Sequence, residues 1–124
     1  MLPALVIIAQ KGFQDHEYEG TVNGLSAAGF PIVIGSTSVG PCIGKFGMHL
    51  DAQVALSDIN IADYDRVAFI GGPGAHALKD DKEAHRIAKD TLNAGKILGA
   101  ICIAPTILAR AGVLNGKQAT VWNK

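Results

Sequence analysis

Short apolar runs, separated by mixed segments, dominate the hydrophobic pattern of this chain. Four of these runs lack polar alternation and are rich in aliphatic residues: 4–9, 31–35, 66–70 and 97–101. Runs of this kind are typical of parallel strands that are buried on both faces. The pattern therefore predicts four strands, of which those at 4–9, 66–70 and 97–101 are buried, and the last of them ends at Cys102.

Segments with helical spacing lie between these strands. Residues 17–28 carry apolar side chains three positions apart, Asp80 or Asp81 caps a second helix with Leu92 on its apolar face, and Pro105 suits the first turn of a third. Regular alternation of strand and helix predicts an α/β sandwich with a mainly parallel sheet. The length of 124 residues allows one such domain.

The remaining segments are less regular. Residues 10–16 predict a turn at Gly12, and residues 36–60, with several glycines and a weak alternation, predict a small hairpin or an irregular excursion. Residues 59–64 predict a helical turn, and residues 118–122 predict one more strand.

Cys102 lies at the predicted corner between a strand and a helix, in ILGAICIAPT. Its neighbours two positions before and after are Ala100 and Ala104, and small residues suit the tight backbone of a nucleophile elbow. Amides and the dipole at a helix N-terminus stabilise a thiolate, which favours a reactive thiol. A buried cysteine that acts as a small hydrophobic residue is the alternative.

Three polar or glycine-rich loops follow predicted strands. Glu17 lies after the first strand, Gly71 and Gly72 end another, and Cys102 ends a third. Ligands of parallel α/β sheets bind beyond the carboxyl ends of the strands, so we expect these loops to meet at one edge. Taken alone, Glu17 fits equally well an acidic residue that answers the dipole of its own helix.

Composition narrows the function classes. Lys plus Arg and Asp plus Glu number 11 each, and no basic block argues for a nucleic-acid or membrane partner. No apolar run approaches the roughly 20 residues of a membrane span, and the N-terminal run lacks the positive start of a signal peptide. We expect a soluble chain that acts on small molecules or peptides.

The chain has two cysteines, Cys42 and Cys102. Two are too few for a disulfide scaffold, and neither has the spacing of a zinc site, so we expect no metal and a reducing cytoplasm. A disulfide between them stays open, because sequence gives no distance between the two sulfurs.

Three segments together resemble the ThiJ/PfpI family, which includes the Parkinson-disease protein seven, in the class I glutamine amidotransferase-like superfamily. They are DHEYEG, YDRVAFIGGPGA and AICIAPTILARAGVLNGKQATVW. The resemblance covers nearly the whole chain and implies a flavodoxin-like three-layer α/β/α sandwich that needs no cofactor. It also implies a further strand and helix after Lys124, so we expect the single domain to be incomplete at its C-terminus.

The resemblance implies Cys102 as nucleophile and a protonated Glu17 that hydrogen-bonds its sulfur. It further implies that the backbone amides of Gly72 and Ile103 form an oxyanion pocket. Family members are assigned glyoxalase, deglycase, peptidase, chaperone and oxidative-stress roles, and many oligomerise. We therefore expect a homo-oligomer or a second chain that supplies the missing part.

Two positions depart from the family. Peptidase-like members have a histidine where this chain has Ile103, and the other usual histidine aligns with Trp122. His16 and His76 lie on loops near the expected pocket and are candidate bases, while Trp122 is a candidate pocket residue. Without a family histidine, proteolysis is the least favoured activity.

Three functions follow. The leading hypothesis is a glyoxalase-like or deglycase-like enzyme in which a cysteine attacks a small carbonyl substrate. The alternative is a redox-responsive or chaperone-like protein with an oxidisable Cys102. A weak third is nucleotide binding, because Gly72, Gly74 and Ala77 fit GxGxxA, although the next helix is expected to begin only near Asp80.

Overall fold

A parallel sheet of five strands forms the middle layer of the protein, whose computed structural model describes residues 1–114. Across the sheet the strands are β6 (Val54–Ala55), β3 (Ile32–Ser36), β1 (Ala4–Ile7), β7 (Arg66–Phe69) and β8 (Ile97–Ala100). Strand β1 is central because Ala4 is in register with Ile32 on one side and Arg66 on the other. The predicted parallel sheet is confirmed.

Helices cover both faces of this sheet, since side chains of β1 alternate between two cores. Leu5 and Ile7 pack on one face with α2 (Lys82–Asn93) and α3 (Pro105–Arg110). Val6 and Ile8 pack on the other face with α1 (Asp15–Ala27). All residues of β1 are fully buried, which explains why its sequence lacks polar alternation.

A smaller sheet lies on the α1 side. It contains β2 (Lys11–Phe13), β4 (Gly40–Gly44) and β5 (His49–Ala52). Strands β4 and β5 form an antiparallel hairpin, as predicted for residues 36–60. The expectation of a simple turn over residues 10–16 was wrong, because β2 pairs in parallel with β4, a partner that lies far along the chain.

Helix α1 begins two residues earlier than predicted. Oε1 of Gln14 accepts from the backbone N–H groups of His16, at 2.7 Å, and Glu17, at 3.4 Å, and so caps the helix. The sequence did not indicate this start because glutamine is not among the residues that usually cap helices.

The surroundings of α2 confirm one prediction and correct two. Asp81 caps this helix, its Oδ1 accepting from the amide of Ala84 at 2.9 Å. The expected burial of Leu92 was wrong, because Leu92 is 40% exposed and Thr91 is fully buried, its hydroxyl donating to the carbonyl of Ile87. The expectation that no helix begins before Asp80 was also wrong, since a 3-10 helix occupies Pro73–Leu78.

Strand β8 is the outermost strand in the part of the sheet that the structure describes. Ile97 is 60% exposed and Ile101 is 44% exposed, so the predicted burial of this run on both faces was wrong for these residues. The 3-10 helix at Ile61–Asp63 agrees with the predicted helical turn. The strand predicted at residues 118–122 lies outside the described residues. No helix within residues 1–114 has the length and apolarity to cross a membrane.

Candidate active site

Cys102 lies at the corner where β8 ends and α3 begins. Its φ is 61°, and it is the one non-glycine residue in residues 1–114 with a positive φ. This conformation strains a side-chain-bearing residue and is typical of a nucleophile at a strand-to-helix elbow. Pro105 occupies the first turn of α3, as predicted, and Ala104 is fully buried, so the corner requires the small neighbour found there.

Gly71 connects Cys102 with Glu17. A methyl group at Gly71 would lie 2.7 Å from Cβ of Cys102, 2.9 Å from Oε1 of Glu17 and 2.6 Å from the carbonyl oxygen of Ile101. The amide of Gly71 donates to Oε1 of Glu17 at 3.2 Å. Only glycine allows this close approach, which holds the carboxyl group of Glu17 beside the cysteine corner.

The three predicted loops meet at one cavity of about 390 Å³. Glu17 and Cys102 line it together, Glu17 from the first turn of α1 and Cys102 from the corner after β8, and Gly72 lines it from the loop that follows β7. The full lining is Gln14, Glu17, Lys45, Gly72, Pro73, His76, Cys102 and Ile103. The expectation that these loops converge at the carboxyl edge of the sheet is confirmed.

The thiol of Cys102 is not biased toward the thiolate. Burial raises its pKa, the charge of Glu17 and a hydrogen bond to Glu17 raise it further, and hydrogen bonds from the amides of Gly72 and Ile103 lower it. The balance raises the pKa above the ordinary value. The expectation of a favoured thiolate was therefore wrong, because burial and the nearby Glu17 outweigh the amides of Gly72 and Ile103.

Of the two candidate histidines, the structure places one at the cavity and one away from it. His76 lies on the 3-10 helix after β7 and lines the cavity. His16 does not line it, and its exposed ring packs against Phe46 with the ring centroids 5.4 Å apart. His85 has a structural contact, its Nε2 lying 2.6 Å from the carbonyl of Lys79. Trp122 lies outside the described residues.

Three lining residues were missed by the sequence analysis, Gln14, Lys45 and Pro73. Lys45 lies in the turn between β4 and β5, which reaches the cavity from the smaller sheet. The residue that could have linked Lys45 to the cavity is Asp15, an acidic residue two positions before Glu17 in the same first helical turn. Its carboxylate accepts from the amide of Phe46 at 3.0 Å and from that of Met48 at 2.9 Å, and so fixes this turn.

The buried carboxyl of Asp15 has an unusual pKa. Burial on its own would raise that pKa, but hydrogen bonds from the amides of Phe46 and Met48 outweigh burial and lower it below the ordinary 3.8. Asp15 therefore stays ionised under all ordinary conditions and holds the turn that carries Lys45.

The site shows no arrangement for a resident metal in residues 1–114, where no three His, Cys, Asp or Glu side chains cluster suitably. Cys42 is buried in the hairpin, and both it and Cys102 are free thiols. The disulfide left open by the sequence is therefore not formed.

A three-layer sandwich with a cysteine elbow facing a carboxyl group, at the carboxyl edge of a parallel sheet, defines a flavodoxin-like α/β protein with a nucleophile-type site. Comparison with known sequences supplies the family. The sequence profile of the DJ-1/PfpI family matches residues 3–124, and the chain belongs to this family.

Individual relatives agree. An uncharacterized protein of Methanocaldococcus jannaschii is 34% identical over 119 residues, which are 95% of this chain and 58% of that protein. A protein of Pyrococcus abyssi named a deglycase is 28% identical over 118 residues, 95% of this chain and 71% of that protein. The crystal structure of a ThiJ/PfpI domain protein from Brachyspira murdochii matches with a TM-score of 0.93 at 29% identity, covering 96% of this chain and 69% of that one. A further relative, from Caenorhabditis elegans, is named a glutathione-independent glyoxalase.

Proposed function

We propose that this chain carries the active site of an enzyme that uses Cys102 to attack small reactive carbonyl compounds, as a glyoxalase or deglycase does. The observation that carries the proposal is the strained Cys102 corner, with φ at 61°, opening with Glu17 into one small cavity. Relatives named deglycase and glutathione-independent glyoxalase support the same reaction class.

The first step is the addition of the Cys102 thiol to the carbonyl group of the substrate. Sγ of Cys102 attacks the carbonyl carbon, a C–S bond forms, and the C=O π electrons move to the oxygen. The thiol proton passes to Glu17 and from there to that oxygen, which gives a neutral hemithioacetal. The amides of Gly72 and Ile103, which act on the Cys102 sulfur, are suited to stabilise the negative oxygen before it is protonated.

A shared proton explains how a thiol with a raised pKa can react. The charge of Glu17 and its hydrogen bond raise the pKa of the Cys102 thiol and so oppose the thiolate. Once the proton moves to Glu17, that charge disappears, and the amides of Gly72 and Ile103 then favour the thiolate. Glu17 is thus the acid and the base of the addition step.

A redox-responsive role for Cys102 is the second candidate. Partial exposure of the thiol and the two nearby amides support it, because they could hold an oxidised sulfur. The raised pKa argues against it, since the thiolate is the form that oxidants attack. A cysteine peptidase ranks third, because Ile103 follows the nucleophile in place of a histidine base.

We further propose that the chain works in a reducing cytoplasm and within an assembly. The two free cysteines support the compartment. The exposed Ile97 on the outermost described strand and the exposed Ile101 just after it support association with a second copy or another chain. This chain spans 58% of the length of the Methanocaldococcus relative and about 70% of several others, so such an assembly is also a proposal about the whole protein.

The test is consumption of methylglyoxal by the purified chain. We expect Cys102→Ser to abolish it, by more than about 10³-fold, and Glu17→Gln to lower it by about 10²-fold or more. Cys42→Ser and Glu19→Gln are the matched controls and should retain activity, because Cys42 lies in the hairpin and Glu19 is exposed on α1. Equal consumption by wild type and Cys102→Ser would refute the proposal.

A further inference from the structure

The cavity beside Cys102 has more hydrogen-bond donors than its proposed chemistry requires. Besides Gly72 and Ile103, whose amides act on the Cys102 sulfur, it is lined by Lys45 and Gln14, two residue types whose side chains donate hydrogen bonds. Glu17 is the single acidic residue in the lining. An excess of donors, one of them a full positive charge, is the pattern of a site that binds an anion.

Lys45 is held in a fixed turn. Its backbone amide donates to the carbonyl of Phe13 at 2.8 Å, and the carboxylate of Asp15 accepts from the amides of the next residues, Phe46 and Met48. Its Nζ lies 5.2 Å from the centroid of the Phe46 ring. The base of the side chain is thus fixed at the cavity while the ammonium group stays exposed.

The ammonium group of Lys45 has no carboxylate within ion-pair distance in residues 1–114, where the ion pairs involve arginines. Its charge is therefore available to a bound molecule.

Gln14 adds a second donor for a reason set by the fold. Its Oε1 is occupied, since it accepts from the amides of His16 and Glu17 at the start of α1. Gln14 is one of the residues that line the cavity, and its Nε2 group donates no hydrogen bond to protein atoms within residues 1–114. A glutamine used as a helix cap in this way presents an amide donor to a ligand.

We propose that the substrate of this site carries a carboxylate or phosphate group on the same small molecule as its reactive carbonyl, and that Lys45 and Gln14 bind that group. The inference rests on the proposed function, because it names the substrate class of the same site. A cavity of about 390 Å³ suits a molecule of this size. Glyoxylate, an aldehyde with a carboxylate, is the simplest member of the class.

Two alkylating reagents test the anion site without any turnover. Iodoacetate and iodoacetamide react with a thiolate by the same step, in which a C–S bond forms and iodide leaves, and they differ in charge. The ratio of their rates at Cys102, measured by mass spectrometry after digestion, therefore cancels the reactivity of the thiol itself. We expect Lys45→Gln to lower the iodoacetate to iodoacetamide ratio about 5-fold, the effect of one charge at contact distance in water.

Three controls accompany the ratio. Lys45→Arg keeps the charge and should keep the ratio, Lys89→Gln removes an exposed charge on α2 and should leave it unchanged, and the ratio at Cys42 in the same samples should not change. An equal ratio in wild type and Lys45→Gln overturns the anion site. Lys45 is exposed, so its substitution should not disturb folding, and circular dichroism checks this point.

Turnover then separates the two proposals. We expect Lys45→Gln to raise KM for glyoxylate by a larger factor than KM for methylglyoxal, which has no charge. A chain that consumes methylglyoxal through Cys102 with a ratio insensitive to Lys45 supports the carbonyl enzyme and refutes the anion site. A chain with a Lys45-dependent ratio that consumes neither compound retains the anion site and refutes the carbonyl enzyme.

Discussion

The first turn of α1 carries two carboxyl groups that contact different loops and accept different numbers of backbone hydrogen bonds. Asp15 is buried and accepts from two amides, those of Phe46 and Met48, in the turn between β4 and β5. Glu17 is half-buried and accepts from one amide, that of Gly71, in the loop after β7. Two residues apart on one helix, the first carboxylate accepts two backbone hydrogen bonds and the second accepts one.

Each loop approaches its carboxylate through a glycine. A methyl group at Gly44 would collide with the carboxylate of Asp15, and a methyl group at Gly71 would lie 2.9 Å from Oε1 of Glu17. A closely approaching glycine therefore accompanies both carboxyl groups, the one that fixes a turn and the one beside Cys102. The number of donors around the carboxylate, and the presence of Cys102 beside one of them, decides which group is structural and which can react.

The largest stability effect is expected at the satisfied carboxylate. Asp15→Asn replaces two charge-assisted hydrogen bonds with one neutral acceptor and leaves an amide donor facing another donor, which should cost about 3 kcal/mol of unfolding free energy. Urea denaturation measures this loss. The control Glu19→Gln, exposed on the same helix, should change the free energy by less than about 0.5 kcal/mol. Equal stability of Asp15→Asn and wild type would contradict the structural role.

The same carboxylate predicts a pH dependence with a definite sign. Hydrogen bonds from Phe46 and Met48 hold the pKa of Asp15 below the ordinary 3.8 in the folded state, against the effect of burial. The stabilisation is therefore complete above pH 3.8 and is lost as pH falls through the folded pKa. Subtracting the urea-derived stability of Asp15→Asn from that of wild type across this range should show a difference that disappears in acid.

Gly71→Ala should have the next largest effect. The added methyl group meets the backbone carbonyl of Ile101 at 2.6 Å, which cannot move without shifting the Cys102 corner, so we expect a loss of about 1–3 kcal/mol and of methylglyoxal consumption. Gly24→Ala is the opposite control, because nothing lies within 4 Å of that position in α1. It should stabilise the chain by about 0.5–1 kcal/mol. A Gly71→Ala variant with full stability would show that the corner can adapt.

Continuous apolar runs identified four strands of the larger sheet, although only β1 is fully buried, and the common edge of parallel strands identified the meeting of Glu17 with Cys102. The smaller sheet was harder to predict, since β2 has three residues and its pairing depends on a distant partner. The cap at Gln14 uses a residue type without a strong preference for that position. The predicted burial of Ile97 was wrong because an apolar run of sequence does not show whether other parts of the protein cover its side chains.

The charge state of Cys102 could not be predicted from its position at a helix start. Its pKa depends on burial and on the distance to Glu17, a residue 85 positions earlier in the chain. Lys45 was missed for a similar reason, since only the contact of Asp15 with the hairpin turn brings it to the cavity. Long-range geometry, which local patterns do not contain, decides both properties.

The smallest stability effect, and the sharpest contrast with Asp15, is expected for Glu17→Gln. The glutamine keeps an oxygen for the amide of Gly71, so the unfolding free energy should change by less than about 1 kcal/mol. Removing the charge should lower the pKa of Cys102, because Glu17 raises it in the wild type. Iodoacetamide should then alkylate Cys102 faster at neutral pH, with Cys42 as internal reference, while methylglyoxal consumption falls because no carboxyl moves the proton. Alkylation that slows together with consumption would mean that Glu17 supports the thiolate and does not oppose it.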